Sequence, residues 1–181
     1  MARGNGTGSR VSIVFAREVQ MLAYLPAQPA QYDEFFELMA AESQEYLETT
    51  LTLMQMDRPH FRQLFQTVGE VYGIYSDEWL AGFYWIEVRE SVLHLHALTL
   101  HPEYQGQGIG HAVFKWLEEQ YHNRIHALEL GVHRSNERAL ALYQKLGFTI
   151  IKSLDELGFY VMQKRLALES ADGARLNSEE S

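Results

Sequence analysis

Between Val92 and Tyr121 the apolar residues change period from two to 3.6, and this switch restricts the fold more than any other feature of the chain. Val92–Leu100 is the most strand-like run in the sequence, and Pro102 closes it because proline cannot continue a ladder. Beyond a glycine cluster, Ile109, Ala112, Val113, Trp116, Leu117 and Tyr121 fall on one face of a helix. Ile125–Val132 then reads as a strand again. A strand, a one-faced helix and a second strand make a right-handed crossover, so these two strands are expected to be parallel neighbours.

The remaining segments supply antiparallel strands and further helices. Val71–Tyr75 and Trp79–Val88 are aromatic and β-branched runs joined by the polar turn Ser76-Asp77-Glu78, and Arg89-Glu90-Ser91 turns the second run into Val92–Leu100. Upstream, Tyr32, Phe35, Phe36 and Met39 have helical spacing, which Leu47, Leu51 and Met54 continue; a second short helix is expected near Pro59 with Phe61, Leu64 and Phe65. Downstream, Asn136–Leu146 reads as a helix stopped by Gly147, followed by strands Phe148–Lys152 and Phe159–Lys164. The first strand is either Val19–Leu25 or Val11–Phe15, and the pattern does not choose between them. The predicted class is α/β (α+β): a mixed, mostly antiparallel sheet of about seven strands with about four helices, in the order strand, two helices, three strands, helix, strand, helix, two strands.

At 181 residues the chain suits one domain with a sizeable core. Residues 1–10, with three glycines and little apolar surface, read as a flexible leader, residues 11–166 as the folded domain and residues 167–181 as a solvated acidic tail. A formal charge of −9 argues against attraction to nucleic acid or anionic membranes. The chain has no cysteine, which removes disulfides, thiolate metal sites and a Cys nucleophile. No apolar stretch approaches a membrane span or a signal-peptide core. The expectation is a soluble cytoplasmic protein.

The glycine cluster Gln105-Gly106-Gln107-Gly108-Ile109-Gly110 lies between a strand and the start of a helix. Glycines let backbone N–H groups approach a ligand, and the helix end adds partial positive charge, so the segment suits a pyrophosphate. The same residues would also serve a tight strand-to-helix turn. The cluster is neither a P-loop, which needs Gly-Lys followed by Ser or Thr, nor a dinucleotide fingerprint.

In its wider context, Leu98-Thr99-Leu100-His101-Pro102-Glu103-Tyr104-Gln105-Gly106-Gln107-Gly108-Ile109-Gly110 resembles the central motif of the GNAT superfamily of acetyl-CoA-dependent N-acetyltransferases, [Arg or Gln]-x-x-G-x-[Gly or Ala] after a strand. Asn136-Glu137-Arg138-Ala139-Leu140-Ala141-Leu142-Tyr143-Gln144-Lys145-Leu146-Gly147-Phe148 is similar to the second motif of that family, N-x-x-A-x-x-x-Y-x-x-x-G-F. The resemblance covers about Leu93 to Phe148. It implies that backbone groups of Leu98, Thr99 and Leu100 hold the pantetheine arm of acetyl-CoA, and that Gln105, Gly106, Gln107, Gly108, Ile109, Gly110 and His111 receive its pyrophosphate. It also implies that Tyr143 protonates the leaving thiolate, that no metal takes part, and that a homodimer is the family's habit.

Asn136 has two roles open to it, helix N-cap and cofactor contact. Tyr143 lies two helical turns further on, so both side chains can face one ligand, although a core tyrosine would have the same spacing. A phenol with a pKa near 10 can donate to a thiolate whose own pKa is near 8.5.

His94 and His96 precede the loop on the strand. Strict alternation would put both on one face with Leu98 and Leu100, and Leu93, Leu95 and Ala97 on the other. Imidazoles titrate near neutrality and suit the deprotonation of an ammonium, so the pair is expected to act as a proton relay. The strand is similar to that of the arylalkylamine N-acetyltransferases, which carry His-x-His at this place. A hydrogen-bonded pair of sheet histidines is the plainer alternative, and two ligands are too few for a metal.

The expected reaction is direct transfer to a primary amine of a small molecule, with the oxyanion held by a backbone N–H near Leu98–Leu100. The resemblance builds the acceptor pocket from the N-terminal helices and the late strands, here including Glu42, Glu45, Tyr46, Tyr84, Trp85 and Tyr160. Carboxylates beside aromatics would favour a cationic amine, although an acidic helix face is also an ordinary solvated surface. Two other readings stay open: an acetyltransferase acting on protein Lys or N-terminal amines, and a non-catalytic acyl-CoA sensor.

Overall fold

The computed structural model describes residues 21–167. The leader, the competing strand Val11–Phe15 and the acidic tail from residue 168 lie outside the described residues. Seven strands form one sheet: β1 (Leu22–Pro26), β2 (Glu70–Ser76), β3 (Trp79–Arg89), β4 (Val92–Leu100), β5 (Ala127–His133), β6 (Thr149–Leu154) and β7 (Phe159–Arg165). Their order is β1-β2-β3-β4-β5-β7-β6. Every pairing is antiparallel except β4 with β5, as the switch of apolar period requires.

Five α-helices accompany the sheet: α1 (Tyr32–Glu42), α2 (Leu47–Leu53), α3 (Arg58–Thr67), α4 (Ile109–Tyr121) and α5 (Glu137–Lys145). The extra helix arises because Leu47 and Leu51 do not prolong α1. The polar stretch Ser43-Gln44-Glu45 offers no apolar face, and the Ser43 N–H closes α1 by donating to the Met39 carbonyl. The chain turns through a corner at residues 43–46, and Leu47 and Leu51 restart a helix that packs on Ala40.

The sheet is buried on both faces. On one, α4 lays Ile109, Val113, Phe114 and Leu117 against Leu93, Leu95, Leu128, Leu130 and Met162. On the other, Phe35, Phe36 and Met39 of α1 and Phe65 of α3 cover Val71, Phe83 and Trp85. This second layer is largely aromatic: Phe35 stacks on Phe83 at 4.9 Å, and Phe65 meets Tyr32, Phe36, Phe83 and Trp85 within 6.0 Å.

Two irregularities in β4 shape the middle of the sheet. Pairing with β5 stops at Leu95 and Leu130, and beyond these residues the strands diverge. Pairing with β3 shifts register between Trp85 and Ile86, so Ile86 faces Leu95 while Trp85 faces Ala97, leaving His96 as the additional residue of a β-bulge. The bulge exchanges the faces of the strand. Leu98 and Leu100 join Leu93 and Leu95 under α4, whereas Ala97 packs with the α1 and α3 layer. Strict alternation, which placed Leu98 and Leu100 beside the histidines, is therefore overturned by one inserted residue.

Phe65 fills the centre of the aromatic layer and is fully buried. Phe65→Ala is expected to cost about 3–5 kcal/mol of stability, measured by equilibrium unfolding in urea. A loss below about 1 kcal/mol would show that the layer does not pack as described.

Candidate active site

The site lies where β4 and β5 part. Past Leu95 the edge of β4 facing β5 has no ladder partner in that strand, so its backbone groups border a cleft instead of a neighbouring strand. Two cavities open from this cleft. The first, about 550 Å3, extends from Leu98, Thr99 and Leu100 to the glycine loop and the start of α5. The second, about 200 Å3, extends towards α1, α2 and the ends of β5 and β7. Ser43, Tyr46, Leu98, Thr99, Asn136 and Tyr143 line both, so the cavities meet at these side chains.

The far end of the first cavity is built for an anion. Gly106 (φ 77°) and Gly108 (φ 85°) are both left-handed, a conformation costly for side-chain-bearing residues, and Gly108 caps α4. A Cβ at Gly108 would meet nothing within 4 Å, so the backbone there is open to a ligand, and α4 starts immediately behind it. Gln105 braces the loop: its Nε2 donates to the Leu100 carbonyl (3.0 Å) and to Glu42 Oε2 (2.9 Å), and its Oε1 accepts from Arg138 Nη1 (3.1 Å). Gly106, Ile109, Gly110 and His111 also line this cavity. Gln107 does not, and its side chain donates instead to the Glu103 carbonyl.

Arg138 is the functional candidate that the sequence reading passed over. It sits in an unspecified position of the second motif, yet its guanidinium reaches Gln105, and a Cβ at Gly106 would stand 2.9 Å from its Nη2. A fixed cation beside open backbone amides complements phosphate. Its position two residues after the helix-capping Asn136 was the available signal.

Asn136 caps α5, its side chain accepting from the Ala139 N–H at 3.1 Å, and it lines both cavities, so its two expected locations coincide. Tyr143 stands two turns further along α5, held edge-on to Phe114 at 5.6 Å and tilted against Phe148. Burial raises its phenol pKa well above the usual value, so the hydroxyl keeps its proton.

The bulge sets His96 apart from His94. His96 lies against the Trp85 ring (centroids 4.5 Å apart), which is fixed in turn by an indole N–H to Val68 carbonyl bond of 2.7 Å, and it lines the second cavity. Its Nε2 is 3.2 Å from Glu87 Oε2. Burial lowers its pKa, outweighing the opposite pull of Glu87, so the imidazole is neutral near pH 7. His94 lines neither cavity; its Nδ1 is 3.4 Å from Glu129 Oε1, which also accepts from Gln163 through its other oxygen.

The other acceptor-side candidates separate. Glu42 and Glu45 border the first cavity, and Tyr46 stands at the junction. Tyr84 lies under α4, stacked on Tyr72, Trp85 supports His96 from the α1 and α3 layer, and neither they nor Tyr160 line either cavity. In their place stand His133 and Phe159: the His133 ring stacks on Tyr46 (4.5 Å, 9°) and Phe159 meets both edge-on. The β5–β7 register sets His133 opposite Phe159, and the α1–α2 corner brings Tyr46 onto both rings from far upstream in the chain. No cluster of three or more metal-ligating side chains exists among the described residues, and no helix among them is long and apolar enough to cross a membrane.

Comparison with known proteins places this architecture. The chain is 29% identical over 140 residues to mycothiol acetyltransferase of Paenarthrobacter aurescens, a match covering 72% of the chain and 42% of that protein. It is 40% identical over 55 residues to the ribosomal protein bS18-alanine N-acetyltransferase of Escherichia coli, covering 30% of the chain and 37% of the relative. The matches thus span less than half the length of these curated relatives. Among solved structures, PaiA N-acetyltransferase from Thermoplasma acidophilum in complex with coenzyme A superposes with a TM-score of 0.59 at 18% identity, over 80% of this chain and 99% of that one. Residues 32–148, well over half of the chain, match the family model described as the acetyltransferase (GNAT) family, and the chain belongs to that family.

Proposed function

We propose that the protein is an N-acetyltransferase that moves the acetyl group of acetyl-CoA onto a primary amine of a small molecule within a ternary complex. The observation that carries this reading is the meeting of two cavities at Tyr143: a long one ending in an anion cradle, and a short one bordered by a neutral histidine. The family and the coenzyme A held by the Thermoplasma neighbour supply the cofactor. The first cavity is within the roughly 300–1,000 Å3 range of small-molecule sites, and the second is below it, which suits a compact acceptor over a folded protein segment.

In this reading Arg138, His111 and the backbone of Gln105–Gly110 hold the pyrophosphate, and the open edge of β4 from Leu98 to Leu100 holds the pantetheine arm. The thioester then lies at the junction, beside Thr99, Asn136 and Tyr143. An amine bound as ammonium in the second cavity gives a proton to His96, directly or through water. Its nitrogen forms a bond to the thioester carbon, and a backbone N–H on the β4 edge stabilises the oxyanion. When the carbon–sulfur bond breaks, Tyr143 donates its proton to the departing sulfur, and the second proton of the nitrogen returns to the phenolate, directly or through water, leaving the neutral amide. His94, next to His96 on the strand and paired with Glu129, is the second station of the relay, carrying the proton away from the cavity.

The reading is tested by free-thiol release from acetyl-CoA across a panel of small amines; binding of acetyl-CoA without amine-dependent release would favour the sensor. Tyr143→Phe is expected to lower kcat about 100-fold with the Kd for acetyl-CoA unchanged, and an unaltered kcat would remove its acid role. His96 accepts a proton only when neutral, so kcat/KM should fall as pH drops through its lowered pKa. In His96→Gln this acid limb should disappear, and its persistence would assign the base elsewhere. Arg138→Ala should raise the Kd for acetyl-CoA about tenfold, measured by calorimetry, with little change in the KM for the amine.

A further inference from the structure

The placement of charge around the second cavity restricts the acceptor beyond its being an amine, and this step rests on the acetyltransferase reading. Beyond the junction the cavity is walled by Met39, Leu47 and Phe61 on the helical side and by Leu130, Val132 and Phe159 on the sheet side. Its polar groups past the junction are the Thr50 hydroxyl, the His96 imidazole, whose pKa desolvation lowers, and the His133 ring, which stacks on Tyr46 with Ser135 Oγ 2.8 Å from its Nδ1. Among the described residues, no Asp, Glu, Lys or Arg lines it. The carboxylates expected to greet a cationic acceptor stand elsewhere: Glu42 is hydrogen-bonded to Gln105 at the cofactor loop, Glu45 borders only the first cavity, and Glu87 lies behind His96, also paired with Arg89.

From this we infer that the acceptor is a compact primary amine whose ammonium is its only charge, with an apolar body that fills the space between Phe61 and Phe159. A carboxylate on the tail, as in an amino acid or peptide, would be desolvated with no Lys or Arg to meet it, and a second ammonium, as in a polyamine, with no Asp or Glu. The reacting ammonium escapes this penalty because it loses its proton to His96 before the nitrogen–carbon bond forms. A site that cannot pair a charge rejects its bearer more strongly than an apolar pocket rejects a wrong shape, so the discrimination is by charge first and by size second. Thr50, at the end of α2's first turn and half-buried at the cavity, is the position from which a charge on this wall would change the preference.

The test compares kcat/KM, by thiol release, for isoamylamine and benzylamine against leucine, phenylalanine, an alanyl peptide and putrescine. The uncharged-tail amines are expected to exceed their charged counterparts at least about 100-fold. Thr50→Asp is expected to lower activity on isoamylamine and raise activity on putrescine, shifting their ratio at least tenfold, while the acetyl-CoA Kd confirms that the variant is folded. Equal or better use of an amino acid, peptide or diamine by the native protein overturns the inference while leaving the acetyltransferase reading standing. Acetyl-CoA bound without release by any amine overturns the transferase reading and this inference with it, and an unshifted ratio in a folded Thr50→Asp variant shows that the acceptor lies elsewhere.

Discussion

The pairing of β4 with β5 fails beyond Leu95 and Leu130, and the rest of the site depends on that failure. A sheet that stayed paired would commit the backbone of Leu98–Leu100 to ladder bonds and close the passage between its two faces. Because the strands part, the edge of β4 is available to a ligand and both cavities reach Tyr143. The β-bulge at His96 acts in the same few residues. It puts Leu98 and Leu100 into the core beneath α4 and leaves His96 on the opposite side, over Trp85 and beside the smaller cavity. The two irregularities fall together at the candidate site, a placement common for bulges next to active sites, while the other register shifts of the sheet, at Ile74/Tyr75 and Ile150/Lys152, lie in the β2–β3 and β6–β7 pairs.

The helices then divide the electrostatic work. α4 and α5 bring an open N-terminus, two left-handed glycines and Arg138 to one end of the cleft, a surface suited to phosphate. α1, α2 and the ends of β5 and β7 enclose the other end with largely apolar side chains and, among the described residues, no Asp, Glu, Lys or Arg. Gln105 joins the halves, since one side chain contacts the end of α1, the end of β4 and the start of α5. Desolvation acts on Tyr143 at the junction and on His96 in the second cavity in opposite chemical senses, raising the phenol pKa and lowering that of the imidazole, which favours the states required by the roles proposed for them.

The crossover, the meander and the glycine turn before α4 were legible in the sequence because each is local: a change of apolar period, a polar turn of hairpin length, and glycines before a helix. Tyr143 and Asn136 were legible for the same reason, being two turns apart on one helix. The face exchange in β4 was not, since a bulge is defined by its partner strand and the run Val92–Leu100 contains nothing that marks one. The α1–α2 corner was blurred because Leu47 and Leu51 keep helical spacing across it. The wall of Tyr46, His133 and Phe159 was invisible, for His133 and Phe159 meet through strand register and Tyr46 reaches them only through tertiary packing. The hydrogen bond of Glu42 to Gln105, 63 residues away, was equally out of reach of a local pattern.

The central claim is that one continuous cleft holds acetyl-CoA along the parted edge of β4 and against the start of α4. Amide hydrogen exchange of the whole protein, with and without acetyl-CoA, tests it most directly. The account predicts slower exchange concentrated in residues 98–100 and 105–111 and at the start of α5, with β1 and β2 unchanged. Binding that left those segments unprotected, or protected a different part of the molecule, would contradict it.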